Sequence, residues 1–201
     1  LYSSNYQEEL ESLVHYKKTL EDELQRQVNQ QEYQHCSSFV QQILKQRIEQ
    51  LKYDIKILNK YIEEFIQVHK KLRQKKECLE TVPGIANKTI ASLLCHLPEL
   101  GSLNRKQIAS LAGLAPYACE SGQLKGKAFI KGGRPSVRKA LYMPILVCIS
   151  FNPLIRHFYE RLRKHGKVAK VALTACMRKL LTILNSMLKN LQPWNPNLID
   201  I

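Results

Sequence analysis

Residues 1–78 contain neither proline nor glycine, and that absence limits this part of the chain to long uninterrupted helices. Leu10, Leu13, Leu20, Leu24 and Val28 recur at helical spacing. The stretch Asn29 to Ser38 is polar and breaks the pattern, and Ser37 or Ser38 can cap a new helix. Val40, Leu44, Ile48, Leu51, Ile55, Leu58, Ile62 and Phe65 then alternate steps of three and four residues, a heptad seam. Two long helices folded back as an antiparallel coiled-coil hairpin satisfy both runs. A short helix beside a longer one leaves part of the seam uncovered, so the arm is expected to pair chains into a homodimer or tetramer.

At Cys78 the character changes. Proline and glycine appear, and the spacing predicts shorter helices at about 89–97, 104–112, 136–150, 153–165 and 167–190. Asn152-Pro153 reads as a cap followed by a first-turn proline, and Gly166 as a left-handed helix end. Residues 119–133 are polar and glycine-rich, mostly loop with room for a short hairpin. The fold class expected is mainly α. A coiled-coil arm (1–78) precedes a helical domain with a helix-hairpin-helix unit (79–194) and a tail (195–201).

Charge divides at the same place. Residues 1–80 hold 13 basic and 13 acidic side chains, whereas residues 81–201 hold 18 basic against 4 acidic, so the whole net charge of +14 lies in the second part. A field concentrated in this way favours a polyanion, because each neutralised phosphate releases counterions.

Four segments could carry that interaction. In Leu79–Ala91 a Pro83-Gly84-Ile85 turn joins two helices in the pattern of a helix-hairpin-helix. The helix start after it offers backbone N–H groups to a phosphate, and Lys88 adds a positive charge. Ala112-Gly113-Leu114-Ala115-Pro116 is a weaker echo and could complete a tandem unit. In Lys131-Gly132-Gly133-Arg134-Pro135-Ser136-Val137-Arg138-Lys139, glycines lead into a helix capped near Ser136, with Arg134, Arg138 and Lys139 about its start. The last is a basic run from Arg156 to Lys179 that includes Lys164, Lys167 and Lys170; its aromatics Phe158 and Tyr159 read as packing residues rather than base-stacking ones. Lys125 and Lys127 add charge beside Glu120-Ser121-Gly122. Spacing alone makes that serine a turn residue, since no neighbouring base would activate it.

The six cysteines form no C-x-x-C pair and most fall in apolar helical patterns, as expected of reduced thiols in a cytoplasmic protein. The six histidines show no zinc-like clustering, so no metal site is expected from this chain alone. No signal peptide is visible, and the longest apolar run, Ala140 to Phe151, is too short for a bilayer and contains Pro144. The expectation is a soluble protein without a membrane partner. Leu1 is not a start methionine, which suggests a beginning inside a longer protein.

Taken in order, LETVPGIANKTIASLL, NRKQIASLAGLAPYACESG, KGGRPSVRKALYMPIL and NPLIRHFYERLRKHGKVAKVALTACMRKLLTILNSML resemble the C-terminal domain of IS-one-ten type insertion-sequence transposases, which are related to the Piv/MooV DNA invertases. The likeness spans about Leu79 to Trp194, and the helical hairpin before it resembles that family's coiled-coil arm. The resemblance implies a DNA recombinase that acts on double-stranded DNA, is guided by a structured RNA, and works as a multimer on the bacterial nucleoid. It implies Ser121 as the nucleophile. It also implies Mg2+ held by four carboxylates in a RuvC-like N-terminal domain that is not in this chain, so residues 1–201 alone are expected to be inactive. A different class remains open from the residues themselves: a non-enzymatic helix-hairpin-helix DNA-binding module on a dimerising arm.

Overall fold

The computed structural model describes residues 5–32, 37–117, 120–121, 124–125 and 129–196, with the backbone alone at 120–121 and 124–125. The chain is mainly α and divides into two compact units, residues 1–70 and 71–201.

The first unit is a helical hairpin of α1 (Asn5–Gln31) and α2 (Ser38–Val68). Ser37 caps α2 by accepting from the Val40 N–H at 3.4 Å. Arg47 of α2 donates to Glu23 of α1 at 2.7 Å, and the Tyr6 ring lies 5.4 Å from that of His69, so the helices run antiparallel. Leu10, Val14 and Leu20 are buried with Leu44, Ile48, Leu51, Ile62 and Phe65. Val40, at the head of the expected seam, is exposed instead. A second stripe on α2, comprising Phe39, Ile43, Tyr53, Ile57 and Tyr61, is also exposed.

The hairpin ends earlier than the composition suggested. His69 takes an extended conformation that stops α2, and α3 (Lys70–Glu80) comes next. α3 is tied into the second unit: Lys75 Nζ donates to the carbonyls of Pro98 and Leu100 at 3.1 and 3.0 Å, and the Cys78 thiol donates to Gln192 O. A break made by one histidine's backbone leaves no proline or glycine to mark it.

The second unit continues with α4 (Asn87–His96), α5 (Arg105–Leu111), α6 (Pro135–Phe151), α7 (Pro153–Lys164) and α8 (Ala169–Asn190). Helix identities match the sequence expectation, with ends shifted by one or two residues. Asn104 forms a full capping box with Gln107, and Asn152 caps α7 through the Ile155 N–H. α6 begins at Pro135 with Arg134 at the cap, close to the expected start near Ser136, because proline fixes the first helical φ.

α8 is the centre of this unit. Cys176, Leu180, Leu181 and Leu184 are fully buried, each leucine contributing about 2 kcal/mol of transfer free energy. It is also the one helix among the described residues long and apolar enough to cross a bilayer. More than half of its apolar window is buried inside the unit, as core helices require.

Between α5 and α6 four two-residue strands make two antiparallel pairs. β1 (Pro116–Tyr117) pairs with β4 (Phe129–Ile130), and β2 (Glu120–Ser121) pairs with β3 (Leu124–Lys125). The hairpin that residues 119–133 had room for is therefore present. The expected second helix-hairpin-helix is not: the Ala112–Pro116 turn leads into β1. Pro116 cannot donate to a helix, and Tyr117, Phe129 and Ile130 are strand-forming residues.

Candidate nucleic-acid interface

The α3–turn–α4 corner holds the first expected site. Gly84 has φ +93°, and a β-carbon there would lie 2.8 Å from Cys148 Sγ and 3.0 Å from Cys148 N. Its missing side chain thus admits α6, and the Cys148 thiol donates to Pro83 O at 3.3 Å. Ile85 is buried, so it belongs to the core and is not a phosphate contact. Lys88 is exposed on the first turn of α4, whose cap residue Ala86 offers no side-chain acceptor. Of this motif, the start of α4 and Lys88 are exposed, while Pro83 and Gly84 are half-buried.

The glycines before α6 also serve the protein itself. Gly133 has φ +63°, and a β-carbon there would lie 2.2 Å from Gly113 N and 2.7 Å from Leu111 O. A β-carbon on Gly113 would meet Gly132 O at 2.2 Å. The chain entering β1 and the chain leaving β4 therefore cross backbone to backbone. The Arg134 N–H donates to Leu111 O at 2.8 Å, and Arg138 Nη1 bridges Gly132 O (2.6 Å) and Ala112 O (3.3 Å). This crossing is the base of the β arm that carries Ser121.

Arg134 was expected at a phosphate, but its guanidinium is committed inside the protein. It donates to both Glu99 oxygens at 2.7 Å and to His96 O at 2.9 Å. That pairing, rather than any other contact, chiefly holds the Glu99 carboxyl below its ordinary pKa. Arg156, in the basic run, likewise donates to Ile149 O and Ser150 O at the end of α6. Sequence cannot separate such arginines from ligand-binding ones, because their acceptors are carbonyls and a carboxylate brought close only by the fold.

Other cations do face solvent. Lys131 and Lys139 flank the crossing and are exposed. Lys164, Lys167 and Lys170 are exposed about the α7–α8 turn, with no carboxylate in ion-pair range among the described residues. That turn is firmly built: Gly166 has φ +76°, and Arg163 Nη1 donates to Lys167 O at 2.6 Å. Phe158 is half-buried between cations, with Arg161 and Lys179 at 5.2 and 5.0 Å from its ring centre, which makes it a packing residue.

Ser121 lies in β2, its backbone opposite Leu124. Lys125 pairs along the backbone with Glu120, and Lys127 lies outside the described residues.

The described carboxylates do not fit a magnesium site. No three His, Cys, Asp or Glu side chains converge among the described residues; Glu99 is held by Arg134 and Glu80 by Lys76 at 2.6 Å. Cys78, Cys95, Cys148 and Cys176 are buried and outside any disulfide, and burial pushes Cys148 to about 11 and Cys176 to about 12.

Residues 76–160 match the model of the Transposase IS116/IS110/IS902 family. The second unit contains a segment that matches IS110-type transposases. Over 143 residues, 69% of this chain, the sequence is 34% identical to the pilin gene-inverting protein of Moraxella bovis and covers 44% of that protein. It is 31% identical over 114 residues to the insertion element IS110 43.6 kDa protein of Streptomyces coelicolor, covering 56% of this chain and 28% of that one. The chain thus spans less than half the length of these relatives. The match to the transposase domain takes in α4 to α6, the whole β arm and most of α7.

Proposed function

We propose that this chain is the DNA-binding part of an insertion-sequence transposase, a recombinase that cuts and rejoins double-stranded DNA in the bacterial cytoplasm. The observation that carries the reading is the confinement of the +14 charge to residues 81–201, the part that contains nearly all of the family match. Backbone phosphates are held by exposed Lys88, Lys131, Lys139, Lys164, Lys167 and Lys170, together with Lys125 of β3 and Lys127, both close to Ser121 in sequence. Contacts of this kind position DNA without reading its sequence, which leaves target choice to the structured guide RNA the resemblance implies.

Ser121 is the nucleophile in this reading. Its Oγ forms a bond to phosphorus while one bridging P–O bond breaks, and the proton lost by the serine ends on the departing deoxyribose oxygen. A serine at its ordinary pKa needs activation, and among the described residues no carboxylate set gathers to hold a metal for it. That role falls to a magnesium-binding domain outside residues 1–201. The glycine crossing and Arg138 act as positioning elements, since they fix where the β arm leaves the helical unit. The arm formed by α1 and α2 brings chains together through the exposed stripe of α2.

The test uses the longer protein, with the upstream carboxylate domain in place, and a labelled DNA substrate. A covalent protein–DNA adduct is expected and should vanish in Ser121→Ala while DNA binding persists. An adduct that survives Ser121→Ala contradicts the assignment.

A further inference from the structure

A further basic feature extends the cationic run that reaches Lys179. A cleft of about 280 Å³ runs between the Leu103–Arg105 corner and the outer face of α8. Arg105 stands on one wall; Lys179, Thr182, Ser186 and Lys189 line the other. Among the described residues no carboxylate and no aromatic side chain lines it.

The walls are fixed by the fold. Asn185, 5% exposed, accepts from the Gly101 N–H at 2.9 Å and donates to Leu103 O at 2.8 Å. Gly101 has φ +96°, and a β-carbon there would lie 3.0 Å from Leu188 Cβ, so the corner sits directly on α8. The Asn104 capping box holds Arg105 at the first position of α5 and already satisfies the Lys106 and Gln107 N–H groups. The attraction of this cleft therefore lies in its side-chain cations and not in a bare helix end.

We propose that this cleft docks the sugar–phosphate backbone of duplex DNA, with Arg105, Lys179 and Lys189 as its phosphate contacts. The inference rests on the proposed DNA-binding function and adds a place where the duplex lies. Lys179 and Lys189 are ten positions apart on α8, about 15 Å along its axis at 1.5 Å per residue, which is room for more than one phosphate of a strand. Burial first, then the charges of Arg161 and Arg105, hold the Lys179 ammonium below its ordinary pKa. A bound phosphate relieves that mutual repulsion. The aromatic ring at Lys179, Phe158, is taken up between Arg161 and Lys179 and does not line the cleft, which separates it from single-strand sites that stack bases on open aromatic rings.

The experiment titrates the 201-residue chain with a labelled duplex from about 50 to 200 mM salt. Arg105→Gln/Lys179→Gln/Lys189→Gln is compared with wild type and with Lys164→Gln/Lys167→Gln/Lys170→Gln. The cleft variant should lose roughly 10-fold or more in affinity, and its salt slope should shrink by about 2–3. A wild-type slope in a cleft variant that melts normally overturns the proposal while leaving the DNA reading intact, and so does a loss confined to a structured RNA. Failure of the wild-type chain to bind duplex at any salt overturns both. Should the triple variant fold poorly, a photo-crosslinker on Ser186→Cys replaces it: crosslinks to duplex are expected, and their absence under saturating DNA refutes the site.

Discussion

Replacing Arg134 by alanine should cost stability and spare DNA binding. The side chain makes three short hydrogen bonds, two of them to one carboxylate. Hydrogen bonds to charged groups contribute about 1.5–3 kcal/mol each when sheltered. Here the paired side chains are 36% and 34% exposed, so solvent screening reduces the total to about 2 kcal/mol. That corresponds to a Tm about 6–10 °C lower for a unit of this size. The loss should depend on pH in a definite sense. Glu99 titrates below its ordinary value, chiefly through the Arg134 hydrogen bond. Its contribution is therefore complete above the unfolded carboxylate pKa of about 4.3 and fades as pH falls through the lower folded value. Thermal melting from neutral to acidic pH should show a gap between wild type and Arg134→Ala that narrows in acid, leaving the share of the His96 O hydrogen bond. Measured well below Tm, duplex affinity should stay within about twofold and the salt slope should not change, whereas a lost phosphate contact would shrink it by about 1. An unchanged Tm together with a shallower slope would refute the reasoning and return Arg134 to the phosphate-binding set.

Neighbouring glycines should respond very differently to one methyl group. Gly132→Ala meets no atom within 4 Å and should cost only the left-handed backbone penalty, about 1–2 kcal/mol, by thermal or urea melting. Gly133→Ala drives its β-carbon into the Gly113 backbone and should cost more than about 3 kcal/mol or release the β arm to faster amide exchange at residues 116–130; equal costs at the two sites would contradict the crossing. Ile57→Glu with Tyr61→Glu should leave the helical arm folded and reduce the chain to a monomer by light scattering, since both side chains are exposed on the unpartnered stripe of α2. An unchanged oligomer would move the contact elsewhere.

Much of the fold was legible because local chemistry fixed it. The Pro- and Gly-free tract required long helices, Ser37 and Asn152 capped where expected, and Gly166 ended its turn left-handed. The features that escaped were long-range. Nothing local distinguishes Arg134, facing Glu99 thirty-five positions away, from the exposed Lys139 beside it. Glycines ahead of a basic helix look alike whether they admit a phosphate or, as Gly133 does, another strand of backbone. The Ala112–Pro116 echo failed because a turn motif does not dictate the element after it, and Pro116 favoured a strand. Asn185 gave no sequence signal at all, because its role needs the Gly101–Leu103 corner more than eighty positions earlier. Ser121 stood out through its family context and not through its neighbours.

The central claim is that the basic second unit binds the phosphate backbone of duplex DNA. Equilibrium binding of the unmodified chain to duplex across a salt series tests it most directly. The account predicts a straight line of log K against log salt with a negative slope of about 5 or more, as expected for six or more phosphate contacts, whatever the duplex sequence. A flat line, or tight binding that persists unchanged to physiological salt, would contradict it.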